Sequence, residues 1–166
     1  RMITLATTYP TTDVAYEAMV RLVEGGQPVD EMLRGMVDYH AEAYGPAVQA
    51  FYRVILGDPD HTGRPHYYAG LSFLAADSPQ LALDEFELLI ETHPDDPLVP
   101  AAWVGKGRAQ VALGQFALAL ESYGTAVVSA TGPASAEMKD ALADRPHADI
   151  EQHFEGSGHA DDAGQV

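Results

Sequence analysis

The chain contains no cysteine. Disulfides, thiolate nucleophiles and Cys-ligated zinc are therefore excluded. Positive charge is scarce: 9 Lys and Arg stand against 25 Asp and Glu, a formal net charge of -16. Lys106 and Lys139 are the only lysines. Such a chain is repelled by nucleic acid and by anionic membrane surfaces. The imbalance reads as a solvated acidic surface that favours solubility, with salt adaptation as the sharper alternative. No apolar run approaches the roughly 18 residues of a membrane span. The first residues also lack the basic start and long apolar stretch of a signal peptide. The chain opens on Arg1 rather than Met, which is compatible with a piece of a longer protein. Cytoplasm and periplasm both fit. No Gly-rich phosphate cradle, nucleophile elbow or paired His/carboxylate motif is found. The chain therefore reads as a non-enzyme, with no catalytic residue, cofactor or metal.

What is present is a 166-residue chain with 46% hydrophobic residues, enough to bury a core as one domain. One spacing in it occurs three times. A Gly is followed by Ala at +12, an aromatic at +16, and a small or aliphatic residue at +19. The copies read Gly35, Ala47, Phe51, Val54; Gly70, Ala82, Phe86, Leu89; and Gly107, Ala119, Tyr123, Ala126. Pro59 and Pro94 close the first two copies, and Thr131 stands where the third Pro would fall. Trp103 lies four residues before the third Gly. Small Gly and Ala let helices cross closely, the aromatic fills the space between one unit and the next, and Pro ends the second helix.

This pattern resembles the tetratricopeptide repeat (TPR), a helix–turn–helix unit of about 34 residues. The resemblance implies an all-α superhelix with three full repeats and flanking capping helices. The units fall at about 28–61, 63–97 and 98–131, within a span of 28–132. Lys106 and Gln110 depart from the family pattern, where Leu and Tyr are usual. The third Gly comes 37 residues after the second, longer than the usual repeat. The Pro-rich stretch from Thr92 to Trp103 absorbs the excess. That junction resembles TPR proteins of the bacterial cell envelope, including outer-membrane assembly lipoproteins and cell-division coordinators.

Residues 1–27 form an N-terminal extension and a capping helix or half-repeat. Thr11, Thr12 and Asp13 offer helix N-caps. Ala15, Met19, Leu22 and Val23 share a face, and Gly25-Gly26 ends the helix. In the first unit, Met32, Leu33, Met36 and Tyr39 give an apolar face, and Gly45-Pro46 is expected to make the turn, with Pro46 at the start of the second helix. The second turns at Asp77-Ser78-Pro79, as an N-cap followed by Pro. The third turns at Gly114. Residues 133–155 read as capping helices with Met138, Ala141 and Leu142 on one face, and 156–166 as a mobile acidic tail.

In the family, first helices line a concave groove. Carried over, that groove comprises Val29, Met32, Met36, Tyr39 and His40; Arg64, Tyr67, Leu71, Leu74 and Ala75; and Ala101, Val104, Arg108, Val111 and Ala112. It is mostly apolar, with Arg64 and Arg108 as its charges. The Lys and Asn set with which the family clamps a chaperone's terminal carboxylate is absent. The resemblance implies a non-enzymatic scaffold or adaptor that holds a helical or extended peptide segment of a protein partner there. One alternative is a groove already filled by this chain, as ordinary core. Others are a self-assembling, homo-oligomeric module and a regulatory portion of a larger protein.

Three further groups of titratable residues stand out. His147, His153 and His159 lie near several carboxylates, but spacings of six place few ligands on one helical face. His61 and His66 flank Arg64 and read as a solvated loop. Glu85, Glu87 and Glu91 read as the solvated face of a helix.

Overall fold

The computed structural model describes residues 11–130. The described residues form seven α-helices and no strand. They are α1 (Asp13–Glu24), α2 (Glu31–His40), α3 (Tyr44–Gly57), α4 (Arg64–Ala75), α5 (Pro79–Thr92), α6 (Val99–Ala112) and α7 (Phe116–Ser129). The extension before Thr11, Thr131 and the expected segments 133–155 and 156–166 lie outside the described residues.

Helices start where the local chemistry allows. Thr12 caps α1, its hydroxyl accepting from the Ala15 N–H at 3.2 Å. Asp30 caps α2 by accepting from the Leu33 N–H at 2.7 Å. Each cap satisfies one of the four N–H groups a helix start leaves unpaired.

Three hairpins, α2–α3, α4–α5 and α6–α7, turn in the same way. Two residues past the end of each first helix the backbone is left-handed: Glu42 at φ 59°, Asp77 at φ 54° and Gly114 at φ 74°. In each case the next N–H reaches back five residues. Ala43 donates to the Asp38 carbonyl, Ser78 to Phe73 and Gln115 to Gln110, all at 2.8 Å. This is the Schellman closure, which satisfies the last carbonyls of a helix. It corrects two expectations. The first turn lies at 41–43, ahead of Gly45-Pro46; Pro46 itself stands at the start of α3 as expected, where a missing N–H costs nothing. Ser78 holds the N-cap position of α5 but makes no capping bond. Its hydroxyl turns back to the Ala76 carbonyl at 3.4 Å.

Packing follows chain order, each helix lying against the next. The first helices also touch one another, α2 with α4 and α4 with α6. The backbones of the second helices α3, α5 and α7 do not approach one another, although the Tyr52 hydroxyl of α3 reaches Glu85 of α5. The recurrent residues explain the close crossings. Ala47, Ala82 and Ala119 are fully buried, each at 1% exposure or less. A Cβ on Gly35 would strike the Phe51 ring, one on Gly70 would come within 2.8 Å of Phe86, and one on Gly107 within 2.6 Å of Tyr123. Each Gly thus makes room for the aromatic sixteen residues on. The rings also reach the following hairpin. Phe51 stacks on Tyr68 at 5.9 Å between centroids, and a Cβ on Gly105 would meet Phe86 at 2.5 Å. At the amino-terminal end, Ala15 and Met19 of α1 pack with Val37.

The departures in α6 are accommodated. Buried Gln110 accepts from the Ser122 hydroxyl at 2.7 Å. Lys106 pairs with Glu87 at 2.9 Å and sits over the Trp103 ring at 4.9 Å.

Asp38 is buried on α2, 3.7 Å from the Arg34 guanidinium. Burial raises its pKa, with Glu31 adding to the rise, against the lowering by Arg34 and Arg53. A carboxylate whose folded pKa is raised favours the fold below the unfolded pKa. That contribution is lost as pH rises through the folded value. Asp38→Asn is therefore expected to stabilise the protein at pH 7. The advantage over wild type should shrink on acidification through the carboxylate range. Thermal unfolding of both proteins across pH tests this, and a variant less stable at neutral pH would contradict it.

Candidate functional site

The sequence-predicted groove residues fall on the three first helices. Met32, Met36 and Tyr39 are half-buried on α2 against the cluster of Ala47, Phe51 and Ala69. His40, at the end of α2, is half-buried with its ring 5.3 Å from Tyr39. On α4, Tyr67 is 5% exposed and belongs to the core with Phe86 and Leu89, so it offers almost no surface. Leu71 and Leu74 pack half-buried against that same cluster. On α6, Val104 is half-buried and Val111 exposed. Part of the expected groove is thus ordinary core.

Arg64 and Arg108 are both exposed. The other described basic side chains have carboxylate partners. Arg21 pairs with Glu17, Arg34 with Glu31 and Asp38, Arg53 with Glu31, and Lys106 with Glu87. Arg64 lies 5.9 Å from the Tyr68 ring. Neither Arg64 nor Arg108 forms an ion pair among the described residues.

A second constellation lies at the open end of the α4–α5 hairpin, where α4 begins and α5 ends. His61 precedes α4, His66 lies in its first turn, and His93 follows the last residue of α5. One ring nitrogen from each lies within 4.8 Å of the others. Centroids are 5.2 Å apart for His61–His66, 4.9 Å for His61–His93 and 6.1 Å for His66–His93. His66 is buried and its Nδ1 lies 2.7 Å from Glu85 Oε2. The other Glu85 oxygen accepts from the Tyr52 hydroxyl at 2.6 Å. Burial and this bond raise the Tyr52 pKa, keeping the phenol protonated. Burial lowers the His93 pKa, and the neighbouring His61 and His66 lower it further, against Asp96.

Two sequence readings are corrected here. Glu85 is 5% exposed, not solvated. His66 is a buried helical residue, not part of a loop. A signal existed for Glu85: it falls in register with Ala82, Phe86 and Leu89 on the buried stripe of α5. Glu91 is exposed as expected, and Glu87 is half-buried beside Lys106. No pattern joined His93 to His61 and His66, because it comes 27 positions after the nearer one, across a whole hairpin. His147, His153 and His159 lie outside the described residues.

No protein-family model matches this chain, and no characterised protein matches its sequence.

Proposed function

We propose that the chain is a TPR-type solenoid acting as a non-enzymatic adaptor, which binds an acidic, partly apolar segment of a protein partner across its first helices. The observation that carries this reading is the pair Arg64 and Arg108. In a chain of net charge -16, they are exposed without a carboxylate on the face predicted for the groove. Exposed guanidiniums there offer bidentate sites for carboxylates of a ligand. Close backbone approach of α2 to α4 and of α4 to α6, with the backbones of α3, α5 and α7 farther apart, supports a curved array with its first helices inside. The matching Gly–aromatic pairs support the repeat assignment.

Affinity capture from lysate of the source organism tests the proposal. Wild type is compared with Arg64→Glu/Arg108→Glu. Both substitutions are on the surface, so folding should change by less than about 0.5 kcal/mol each. The expected result is a protein retained by wild type and released by the variant. Equal retention by both would rule out this face as the binding site.

Self-assembly is the second reading. Phe116 at 69%, Leu120 at 74% and Val127 at 68% exposure give α7 an apolar outer surface. Concentration-dependent mass in sedimentation, unaffected by the Arg variant, would favour it.

A further inference from the structure

We propose that His61, His66 and His93 form a site for one divalent transition-metal ion of the zinc type, with Glu85 positioning His66. Three observations carry this.

First, the nitrogens converge. One from each ring lies within 4.8 Å of the others. Zinc at about 2.0–2.1 Å from each nitrogen needs them about 3.4 Å apart in a tetrahedral arrangement. Small ring movements close that gap.

Second, His61 and His66 each keep one ring nitrogen free to ligate. The Thr62 carbonyl lies 2.8 Å from His61 Nδ1. A carbonyl oxygen only accepts, so Nδ1 carries the proton and Nε2 keeps its lone pair. The Glu85 carboxylate imposes the same arrangement on His66 by accepting from Nδ1 at 2.7 Å. A ligating His whose other nitrogen donates to a carboxylate or carbonyl is the usual support of a metal site. Tyr52 in turn holds Glu85 at 2.6 Å.

Third, His93 Nε2 is buried without a hydrogen-bond partner. Buried polar atoms are normally satisfied, and a bound cation would satisfy this one.

The backbone around the cluster is fixed in advance. Asp96 accepts from the Gly63 N–H through Oδ2 and from the Leu98 N–H through Oδ1, both at 2.8 Å. One carboxylate therefore ties the loop carrying His61 to the loop carrying His93. Both Asp96 oxygens are engaged in these bonds, and the three imidazoles are the protein ligands proposed. The fourth position falls to water or to a carboxylate or imidazole of a partner, as in sites with an open coordination position. The ion would also clasp the start of the second hairpin to its end.

The test uses the full chain, stripped with chelator and titrated with Zn2+, with Co2+ as a spectroscopic probe. One ion per chain is expected, with a tetrahedral Co2+ spectrum and a rise in melting temperature. His93→Gln should weaken binding at least 100-fold while leaving the metal-free circular dichroism unchanged. Glu85→Gln should weaken it about 10- to 100-fold through the orientation of His66. A variant with His147, His153 and His159 all changed to Gln should bind as wild type does. Absence of a tetrahedral Co2+ spectrum in wild type overturns the proposal. So does binding that survives His93→Gln but disappears with the three carboxy-terminal histidines.

Discussion

Phe86→Ala is expected to lower stability by about 3–5 kcal/mol, the usual cost of emptying a fully buried aromatic site. Phe86 is 0% exposed. Its ring fills the space opened by Gly70 on its own hairpin and by Gly105 on the next. It also meets Tyr67 edge-on at 6.0 Å. Two backbones held apart by one ring collapse poorly when that ring is removed, so the cavity term stays large. Against a total stability of about 5–15 kcal/mol, the loss is a large fraction. Stacked hairpins are stabilised through their neighbours. Weakening the α5–α6 junction should therefore broaden the unfolding transition or split it. Denaturant titration followed by circular dichroism measures both effects. A loss below about 1 kcal/mol would show that the ring does not join the hairpins as described.

The second large effect is expected at Gly105. Gly105→Leu should cost about 3 kcal/mol or more, at the upper end of overpacking. Its new Cβ would lie 2.5 Å from the fully buried Phe86 ring. Gly107→Leu should also destabilise, since its Cβ would lie 2.6 Å from Tyr123. That ring is only half-buried and can yield, so Gly105→Leu should be the worse of the two. A double-mutant cycle makes the test specific. In the Phe86→Ala background the leucine at 105 enters the vacated space, and the two costs should fall well short of additive. Simple additivity would place the strain elsewhere. An unchanged melting temperature for Gly107→Leu would argue against the repeat frame itself.

Much of the architecture was legible because it depends on local rules. Gly, Ala and aromatic residues recur at fixed spacing in a helical period, so the residues that meet at each crossing can be paired from the chain alone. Gly35 with Phe51, Gly70 with Phe86 and Gly107 with Tyr123 all do meet. Thr12 and Gly25 bound α1 as their cap chemistry requires. The first turn was misplaced because Glu42 adopts left-handed backbone, a conformation that a Glu does not advertise. Gly45-Pro46 was the louder signal and proved compatible with a helix start.

The sites divide along the same line. Sequence by itself determined the helical pattern, the absence of thiol chemistry, and an acidic chain with two arginines on one predicted face. Tertiary structure decided that Tyr67 is core and that Glu85 is buried against Tyr52 and His66. It also decided that His61, His66 and His93 converge. Such groups meet only when α4 and α5 fold back on each other and Asp96 ties their ends together. Periodicity reports which face of a helix is buried. The chemistry a buried polar group finds there depends on atoms from a distant part of the chain.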